Sequence, residues 1–217
     1  MVIPTLSEAS TVGAAIASAR ESLDPCEVIV VDGGSADATH DVARSAGAQV
    51  IVASGSRAVA MNAGAHLARG DALLFLHADT TLPDGAGAAV REALRSADGG
   101  AFRRRYDERR PVLRAFDDLL ARFFQPVYGD QAIFVSRTAF DRVGGFQPMP
   151  IMEDCDFVQR LRKTGDFTLL DLSVRTAARR HRAQGTAATV ARVWAIKLLY
   201  RVGVSPVRLA RIYPPAR

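Results

Sequence analysis

Two aspartates stand where runs of apolar residues end, and their positions suggest a ligand site. Asp32 closes the run in VIVVDGGSAD (28–37), and Asp79 follows the run in LLFLHADTTLP (73–83). If both runs are strands of a parallel sheet, the carboxylates lie beyond the carboxyl ends of the strands, where such sheets bind ligands. A carboxylate there can accept from a ribose hydroxyl or a base N–H, or it can hold a hard cation. The pattern therefore predicts a nucleotide and a metal that binds its phosphates.

The positions of the glycines argue against a dinucleotide-binding Rossmann site. That site requires GxGxxG directly after the first strand. The corresponding segment, PTLSEAS (4–10), has no glycine, whereas Gly33 and Gly34 follow the second strand. A sugar nucleotidyltransferase would need a glycine-rich loop with Arg and Lys, which residues 4–13 lack. A nucleotide-sugar site of another type explains the pattern better.

The elements that must position these residues alternate in type over the first two thirds of the chain. The strand of Val2 and Ile3 is expected to stop at Pro4. Further strands are expected at 27–31, 49–52, 72–76, 100–106, 131–135 and 166–172. Helices are expected at 8–22, 38–45, 57–68, 84–97, 112–124, 153–164 and 187–202, with a short one ending at Val143. This rhythm predicts a three-layer αβα fold with a mostly parallel central sheet.

Composition excludes several other classes of protein. No stretch reaches the roughly 18 uninterrupted apolar residues of a membrane span. The N-terminus lacks the basic region and long apolar core of a secretory signal. Cys26 and Cys155 lie far apart and form neither a disulfide framework nor a zinc motif. We therefore expect a cytoplasmic protein.

The charge is divided unevenly along the chain. Residues 172–217 hold 10 of the 28 Lys and Arg residues and no acid, which leaves 18 basic residues against 23 acidic ones in the remainder. A basic tail on an acidic body suggests an anionic partner, either phospholipid or nucleic acid, although a solvated face would show the same charge. The helix expected at 187–202 could lie on the inner membrane surface with Trp194 at headgroup depth, or it could pack on the domain. Nucleic acid is the weaker alternative because the tail shows no aromatics interleaved with base-reading side chains.

Five sequence blocks, in order, resemble inverting glycosyltransferases of family 2, which have the A-type fold. The blocks are IPTLSEAST (3–11), VIVVDGGSAD (28–37), SRAVAMNAGAHLARGDALLFLHADT (56–80), GDQAIFVSRTAFDRVGGF (129–146) and MEDCDFVQRL (152–161). The similarity is greatest to small bacterial members whose acceptors are largely undefined. It implies a nucleotide-sugar-binding catalytic domain at 1–172 and a basic helical appendage at 173–217.

The resemblance implies that Asp32 accepts from the base N–H of the nucleotide. Asp32 could equally be the acid of a tight turn, and both roles are compatible. Pro4 and Glu8 would flank the nucleoside, although Ser7 replaces the Asn that relatives have before this Glu. Arg57 would contact the base or the diphosphate, or it is an exposed arginine in the first turn of its helix. Asn62 lines the same helix and is assigned to the nucleotide.

Asp79 is the expected metal ligand. The family commonly has Asp-x-Asp at this place, and here the triplet is His77-Ala78-Asp79, so one carboxylate remains. The two phosphates and water would complete the shell of Mg²⁺ or Mn²⁺. The cation would take up charge as the diphosphate leaves. His77 is expected to pack under the site and not to bind the metal.

Asp154 in the MED sequence is the expected catalytic base. Direct displacement at the anomeric carbon needs one carboxylate to take the acceptor's proton, and inversion needs no second one. Glu153 is assigned to support, and Asp130 and Gln131 are expected to face the donor sugar or the acceptor. Three further residues after the last strand are candidates for phosphate contacts, with a basic surface patch as the alternative: Arg179, Arg180 and His181.

Together these assignments predict a metal-dependent, inverting glycosyltransferase. It would move a sugar from a UDP- or GDP-sugar to a hydroxyl acceptor. The acceptor could be lipid-linked, because the basic helix could lie on a membrane. The alternative is a basic peripheral membrane-binding protein with a degenerate, non-catalytic nucleotide site.

Overall fold

One central sheet contains all eight strands in the residues that the structure describes. The structure is a computed structural model, and it describes residues 1–106, 129–177 and 185–212. The strands are β1 (Val2–Thr5), β2 (Ile29–Asp32), β3 (Gln49–Val52), β4 (Ala72–Phe75), β5 (Thr80–Thr81), β6 (Gly99–Tyr106), β7 (Ile133–Ser136) and β8 (Phe167–Thr176). Their order in the sheet is β3-β2-β1-β4-β7-β6-β8-β5.

The sheet is parallel in its first half and mixed in its second. Strands β3, β2, β1 and β4 run parallel, in the register Val2 opposite Ile29 and Ile29 opposite Gln49. Strand β7 is antiparallel to both β4 and β6, β8 is parallel to β6, and β5 is antiparallel to β8. The expected α/β fold with a mostly parallel sheet is confirmed. The parallel half brings the ends of β1, β2 and β4 to one edge, as ligand sites in such sheets require.

Alternate residues of the strands build a core on each face of the sheet. Ile3, Val30 and Leu74 lie in one buried cluster, while their neighbours Val2 and Val31 lie in the other. Strands that are covered on both faces have apolar residues at consecutive positions, which explains the unbroken apolar runs in the sequence.

Helices cover both of these faces. The helices are α1 (Val12–Ser22), α2 (Thr39–Ser45), α3 (Arg57–Leu67), α4 (Ala86–Ala93), α5 (Arg137–Arg142), α6 (Glu153–Thr164), α7 (Thr186–Arg201) and α8 (Pro206–Ile212). Residues of α1, α2 and α4 join the cluster that contains Ile3, and residues of α3, α5 and α6 join the cluster that contains Val2. None of the helices in the described ranges combines the length and apolarity of a bilayer-spanning segment.

Pro4 does not end β1, contrary to the expectation from the sequence. The carbonyl of Val2 accepts from Leu76 on the β4 side, whereas the carbonyl of Thr5 accepts from Gly33 on the β2 side. Pro4 therefore points to the β4 side, where the pairing of β1 is limited to Val2. Its missing N–H faces no strand there, and a sheet tolerates proline at such a position.

Other boundaries also differ from the expected ones. Helix α1 begins at Val12 because residues 8–11 form a turn, in which the Glu8 carbonyl accepts from the N–H groups of Thr11 and Val12. The predicted domain boundary at residue 172 falls inside β8, which pairs with β6 as far as Thr176. The division into 1–172 and 173–217 stays a prediction. The helix expected at 112–124 lies outside the described residues.

Candidate active site

The turns after β1 and β2 are joined by hydrogen bonds. The N–H groups of Ser7, Glu8 and Ala9 donate to Ser35 Oγ at 2.8 Å, Thr39 Oγ1 at 2.7 Å and Asp37 Oδ2 at 3.1 Å. In addition, Gly33 N–H donates to Thr5 O at 2.8 Å. We call residues 5–11 and 32–39 the donor turns. Short polar side chains fix their spacing, so this part of the site is organised without a ligand.

Asp32 lies at the centre of the donor turns and is 4% exposed. Its carboxylate accepts from the hydroxyl and N–H of Ser35, from Gly34 N–H at 3.3 Å and from Thr5 Oγ1 at 3.1 Å. Burial alone would raise the pKa of Asp32, but these hydrogen bonds outweigh it and lower the pKa. The structure thus gives Asp32 the role of a turn acid, and its contact with a base stays a prediction.

Two other residues predicted to flank the nucleoside lie beside these turns. Pro4 is half-buried in β1. Glu8 is half-buried in the first donor turn, where its Oε2 accepts from Thr11 Oγ1 at 2.9 Å. Both residues therefore border the edge at which Asp32 ends β2, while their contact with a nucleoside stays a prediction.

Asp79 lies directly before β5 and is half-buried. Its carbonyl accepts from Ala177 N–H at 3.1 Å, which ties it to the end of β8. Behind it, the buried hydroxyls of Thr80 and Thr176 are hydrogen bonded at 2.5 Å. These bonds fix the backbone of Asp79 at the same edge of the sheet as Asp130, whose carbonyl accepts from Thr176 Oγ1 at 3.4 Å.

Asp154 occupies the first turn of α6 and is held by backbone groups. Its Oδ2 accepts from Gly129 N–H at 2.6 Å, and its Oδ1 accepts from Cys155 N–H at 2.7 Å. Met152, the residue that precedes α6, has φ of +69°. A side-chain-bearing residue rarely adopts this conformation, and such strain is found most often at functional sites. The carboxylate is thereby aimed across the 3₁₀ turn at 129–131.

His77 lies against the same turn. A methyl group added to Gly129 would be 2.7 Å from His77 Nε2 and 3.1 Å from Asp154 Oδ2, so only glycine fits between the two side chains. Burial, together with the charge of Arg57, lowers the pKa of His77 in spite of the surrounding carboxylates. The imidazole is therefore neutral at neutral pH. As expected, His77 packs under the site.

Arg57 and Glu153 form an ion pair that joins the first turns of α3 and α6. Arg57 Nε donates to Glu153 Oε1 at 2.5 Å, and the two side chains are 42% and 1% exposed. Burial, with the charge of Asp154, outweighs the attraction of Arg57 and raises the pKa of Glu153. The structure thus assigns Arg57 to Glu153, and its predicted contact with the nucleotide is untested.

Asp130 pairs with Arg104 of β6, and both side chains are largely buried. Arg104 Nη1 donates to Asp130 Oδ2 at 2.6 Å. Burial would raise the pKa of Asp130, but the charge of Arg104 outweighs it and lowers the pKa. Gln131 is buried and donates through Nε2 to Phe102 O at 3.0 Å. The predicted sugar contacts of Asp130, Gln131 and Glu153 remain predictions.

Asn62 contacts the loop that leads to α6. Its Nδ2 donates to Phe146 O at 2.8 Å, and its Oδ1 accepts from Phe146 N–H at 2.9 Å. Asn62 therefore anchors this loop to α3, and its predicted nucleotide contact remains untested. The candidate phosphate ligands Arg179, Arg180 and His181 lie outside the described residues.

Helix α7 packs on the domain beside this site. Ile196 is 4% exposed, and Lys197 lies close enough to Cys155, Asp130 and Asp154 for their charges to act on it. Burial lowers the pKa of Lys197 to about 8 in spite of these acids. The sequence is compatible with a helix on the domain or on a membrane, and the inner face of α7 packs on the domain.

Unpaired polar atoms are concentrated at this edge. Among the residues that the structure describes, the following buried atoms have no hydrogen-bond partner: Ser56 Oγ, His77 Nε2, Asp130 Oδ1 and Glu153 Oε2. Buried polar atoms without partners are uncommon, and each one needs an explanation such as a missing ligand or water. All four are oxygen or nitrogen atoms that can accept a hydrogen bond from a sugar hydroxyl. We call Asp130, Glu153, Asp154 and His77 the acidic edge.

The side chains present are compatible with a cation that binds together with phosphates. Within 1–106, 129–177 and 185–212, no group of three or more His, Cys, Asp or Glu side chains could hold a metal ion. Mg²⁺ is often bound by one or two carboxylates, with phosphates and water completing its shell. Asp79 by itself is sufficient to supply one such carboxylate. The donor set therefore fits a diphosphate-bound cation and does not fit a metal held by protein ligands only.

Comparison with known proteins decides the family. The model for glycosyl transferase family 2 matches residues 1–115, more than half of the chain. The chain belongs to glycosyl transferase family 2. No curated protein matches the sequence.

Several solved structures share the fold of this family 2 chain. Glucosyl-3-phosphoglycerate synthase from Mycobacterium tuberculosis, in complex with Mn²⁺, UDP and glucosyl-3-phosphoglycerate, matches with a TM-score of 0.61 and 23% identity, over 94% of this chain and 79% of that one. The mannosyltransferase PcManGT from Pyrobaculum calidifontis, in complex with GDP-Man and Mn²⁺, matches with a TM-score of 0.67 and 21% identity, over 90% and 59%. A mycobacterial protein matches with a TM-score of 0.57 and 25% identity, over 81% and 63%. The chain thus spans less than two thirds of the length of two of these proteins.

Three residues of this edge were not predicted from the sequence. They are Arg104, Gly129 and Lys197, which contact or approach Asp130 and Asp154. Glycine beside an acid in YGDQ was the only local signal. The other two reach the site from β6 and α7, and no short-range pattern indicates that.

Proposed function

We propose that this family 2 chain is a metal-dependent, inverting glycosyltransferase that uses a UDP- or GDP-sugar and a hydroxyl acceptor. The observation that carries the proposal is the arrangement of Asp154. It lies within a cluster of buried, unpaired polar atoms, at the sheet edge that also holds Asp79. The donor turns lie at the same edge, after β1 and β2.

In this proposal Asp154 is the base. Backbone N–H groups hold both of its oxygens, so the carboxylate is oriented before the acceptor arrives. The acceptor oxygen attacks the anomeric carbon on the face opposite the diphosphate, and its proton passes to Asp154. The bond between the anomeric carbon and the diphosphate oxygen breaks, which inverts the configuration. One carboxylate is sufficient for this step.

The remaining residues bind and orient the substrates. Asp32, Pro4 and Glu8 would bind the nucleoside, and Asp79 would hold Mg²⁺ or Mn²⁺. The cation supplies positive charge at the diphosphate as it leaves. Unpaired atoms of Asp130 and Glu153 would accept hydrogen bonds from sugar hydroxyls. The following residues would reach the phosphates or the rest of the donor: Arg57, Asn62, Gln131, Arg179, Arg180 and His181.

Calorimetric titration tests the donor half of this proposal. UDP and GDP are titrated, with and without Mn²⁺, into the wild type, Asp79→Ala and Asp84→Ala. We expect one nucleotide to bind only with Mn²⁺, with an affinity at least about tenfold lower in Asp79→Ala, because that variant loses the metal carboxylate. Asp84 is an exposed carboxylate five residues further on, so Asp84→Ala is the matched control and should bind as the wild type does.

If neither nucleotide binds with any metal, the donor site does not exist. The alternative of a basic peripheral protein with a degenerate site would then be favoured. If binding occurs equally without metal, the nucleotide role survives and the role of Asp79 does not.

A further inference from the structure

Helix α7 has two faces of different character. Thr189 and Ile196, seven residues apart, are 2% and 4% exposed and face the domain. On the opposite side, Ala191, Ala195 and Leu198 are exposed at helical spacing, and Val202 continues their line just beyond the helix. Leu198 and Val202 are 64% and 68% exposed. Because residues at i, i+4, i+7 and i+11 share one side of a helix, these side chains form a continuous apolar stripe.

Helix α8 contacts α7 and also exposes apolar side chains. Leu209 is completely buried and anchors α8, while Val207 and Ile212 are 59% and 55% exposed. Seven large hydrophobic side chains are exposed in the described part of the chain, and four of them lie within residues 185–212. Clustered exposure of this kind marks an interaction surface more often than scattered exposure does.

The same segment is strongly basic. Arg201, Arg208 and Arg211 are exposed. There is no Asp or Glu between 172 and 217. Arg201 and Trp194 flank one side of the apolar stripe on α7, since each lies about 60–90° from its centre at about 100° per residue. Apolar side chains bordered by arginines can meet the acyl chains and the anionic headgroups of a bilayer together.

We propose that this C-terminal surface docks on a membrane that contains anionic phospholipids. The surface consists of Leu198, Val202, Val207 and Ile212 with Arg201, Arg208 and Arg211. The apolar stripe would enter the boundary between headgroups and acyl chains while the arginines contact lipid phosphates. Charge complementarity favours an anionic membrane, because the arginines of this surface can pair with lipid phosphates while its apolar side chains contact acyl chains.

Docking would bring the candidate active site to the membrane surface. The inner face of α7 carries Lys197, on which the charges of Asp130 and Asp154 act. Because the apolar stripe is on the opposite side of α7, the helix, about 10 Å across, would lie between the bilayer and the acidic edge, and the head of a lipid-linked acceptor would have to span that distance. This consequence rests on the proposed function, whereas the docking itself does not.

Vesicle co-sedimentation of the full chain tests the docking. The vesicles contain phosphatidylcholine alone, or two parts phosphatidylcholine to one part phosphatidylglycerol. We expect the wild type to bind the mixed vesicles, to bind less as salt rises, and to leave pure phosphatidylcholine unbound. Leu198→Glu with Val202→Glu should lower partitioning at least about tenfold, since both charges enter the apolar boundary. Each of Arg201→Gln, Arg208→Gln and Arg211→Gln should lower it about fivefold.

Leu67→Glu is the matched control for an added surface acid. Leu67 is a large apolar side chain on α3 that is 41% exposed, so its replacement should not change vesicle binding. Circular dichroism and UDP or GDP titration on the same preparations show that each variant is folded. Normal nucleotide binding with no vesicle binding overturns the docking alone, and the proposed function stands.

Three other outcomes also overturn the docking. One is equal binding to both kinds of vesicle, and another is binding that the double glutamate variant does not weaken. The third is competition by duplex DNA that removes the protein from vesicles at equal phosphate concentration, because the surface would then be a nucleic-acid site.

Discussion

The donor turns and the acidic edge lie along the same side of the sheet, yet their polar groups are satisfied in different ways. In the donor turns, Asp32 accepts four hydrogen bonds from its own turn and from Thr5. At the acidic edge, one atom each of His77, Asp130 and Glu153 is buried without a partner among the described residues. The donor turns are therefore complete without a ligand, whereas the acidic edge has hydrogen-bonding capacity left over for one.

This difference separates stability from activity. A change in the donor turns breaks bonds that the folded chain already makes, so it should lower stability. At the acidic edge, loss of an unpaired atom removes nothing that the folded chain uses and should lower activity alone, whereas loss of an ion-pair partner there should also lower stability. Such a separation is common at active sites, where structure is held under local strain.

The largest expected effect is that of Asp154→Asn on the rate. Without its base the reaction should slow by about 10²–10⁴-fold, because the acceptor's proton has no carboxylate to receive it. Nucleotide affinity should change little, and the free energy of unfolding should fall by about 1 kcal/mol, because an amide oxygen can replace only one of the two acceptors that Gly129 and Cys155 use. The measurement is the release of nucleotide from a panel of sugar donors built on the nucleotide that titration identifies, with water as the simplest acceptor.

Asp156→Asn is the control for that measurement. Asp156 lies two residues further along α6 and pairs with Arg160 at 2.7 Å, away from Gly129. It should keep a rate close to that of the wild type. Equal rates for wild type and Asp154→Asn would remove Asp154 from the mechanism.

The next effect is on stability, at the ion pair of Arg57 and Glu153. Arg57→Ala leaves a carboxylate that is 1% exposed without its partner, which should cost about 3 kcal/mol of unfolding free energy. Glu153→Gln removes the buried charge as well and should cost less. Urea denaturation at neutral pH measures both changes.

Arg69→Ala is the matched control for the ion pair. Arg69 is 88% exposed where it pairs with Glu27, so its loss should cost less than about 1 kcal/mol. The pKa of Glu153 is already raised and would rise further without Arg57. In Arg57→Ala the folded chain therefore holds a proton on Glu153 that the unfolded chain loses at lower pH. The stability of this variant should fall as pH rises toward the raised pKa of Glu153. A cost for Arg57→Ala equal to that of Arg69→Ala would mean that the buried pair does not position Glu153.

The sequence predicted the local parts of this site and not the distant contacts. Strand β3 and helix α6 have the bounds that the pattern predicted, because alternation and helix-start signals are short-range. The turn at Asp32 was also predicted, from the local sequence DGGS. The pair of Arg57 and Glu153 joins residues 96 apart, and that of Arg104 and Asp130 joins residues 26 apart. Such pairings depend on how helices and strands pack, which no local pattern encodes.

The shortest elements were also missed. Strand β5 has two residues, too few to show an alternation. Helix α8 was not predicted, although it follows Ser205 and begins with proline, a residue that is common at the first helical position. The acidic edge is thus harder to predict than the donor turns for the same reason that it is chemically more open. Its groups come from the segment after β4, from the turn at 129–131 and from α6, and none of them is held by its sequence neighbours alone.

The smallest expected effect tests the donor turns through Asp32→Asn. An amide in place of the carboxylate turns an N–H₂ or a weaker acceptor toward the N–H groups of Gly34 and Ser35, which should cost about 2 kcal/mol at neutral pH. The pKa of Asp32 is lowered in the folded chain, so its carboxylate stabilises the fold above its unfolded pKa of about 3.9. That contribution is lost as pH falls through the folded pKa. Wild type and Asp32→Asn should therefore converge in stability in acid.

Urea denaturation of both proteins at neutral pH and near pH 3 measures this convergence. Asp84→Asn, at an exposed carboxylate, should match the wild type at both values. If the difference in unfolding free energy between wild type and Asp32→Asn is the same at both pH values, the charge of the Asp32 carboxylate does not stabilise the turn. The donor turns would then owe their order to backbone and hydroxyl contacts, such as those of Ser7 and Thr39, and Asp32 would be free for the base of the nucleotide. Its loss would then lower nucleotide affinity without a pH-dependent loss of stability, and the contrast with the acidic edge would disappear.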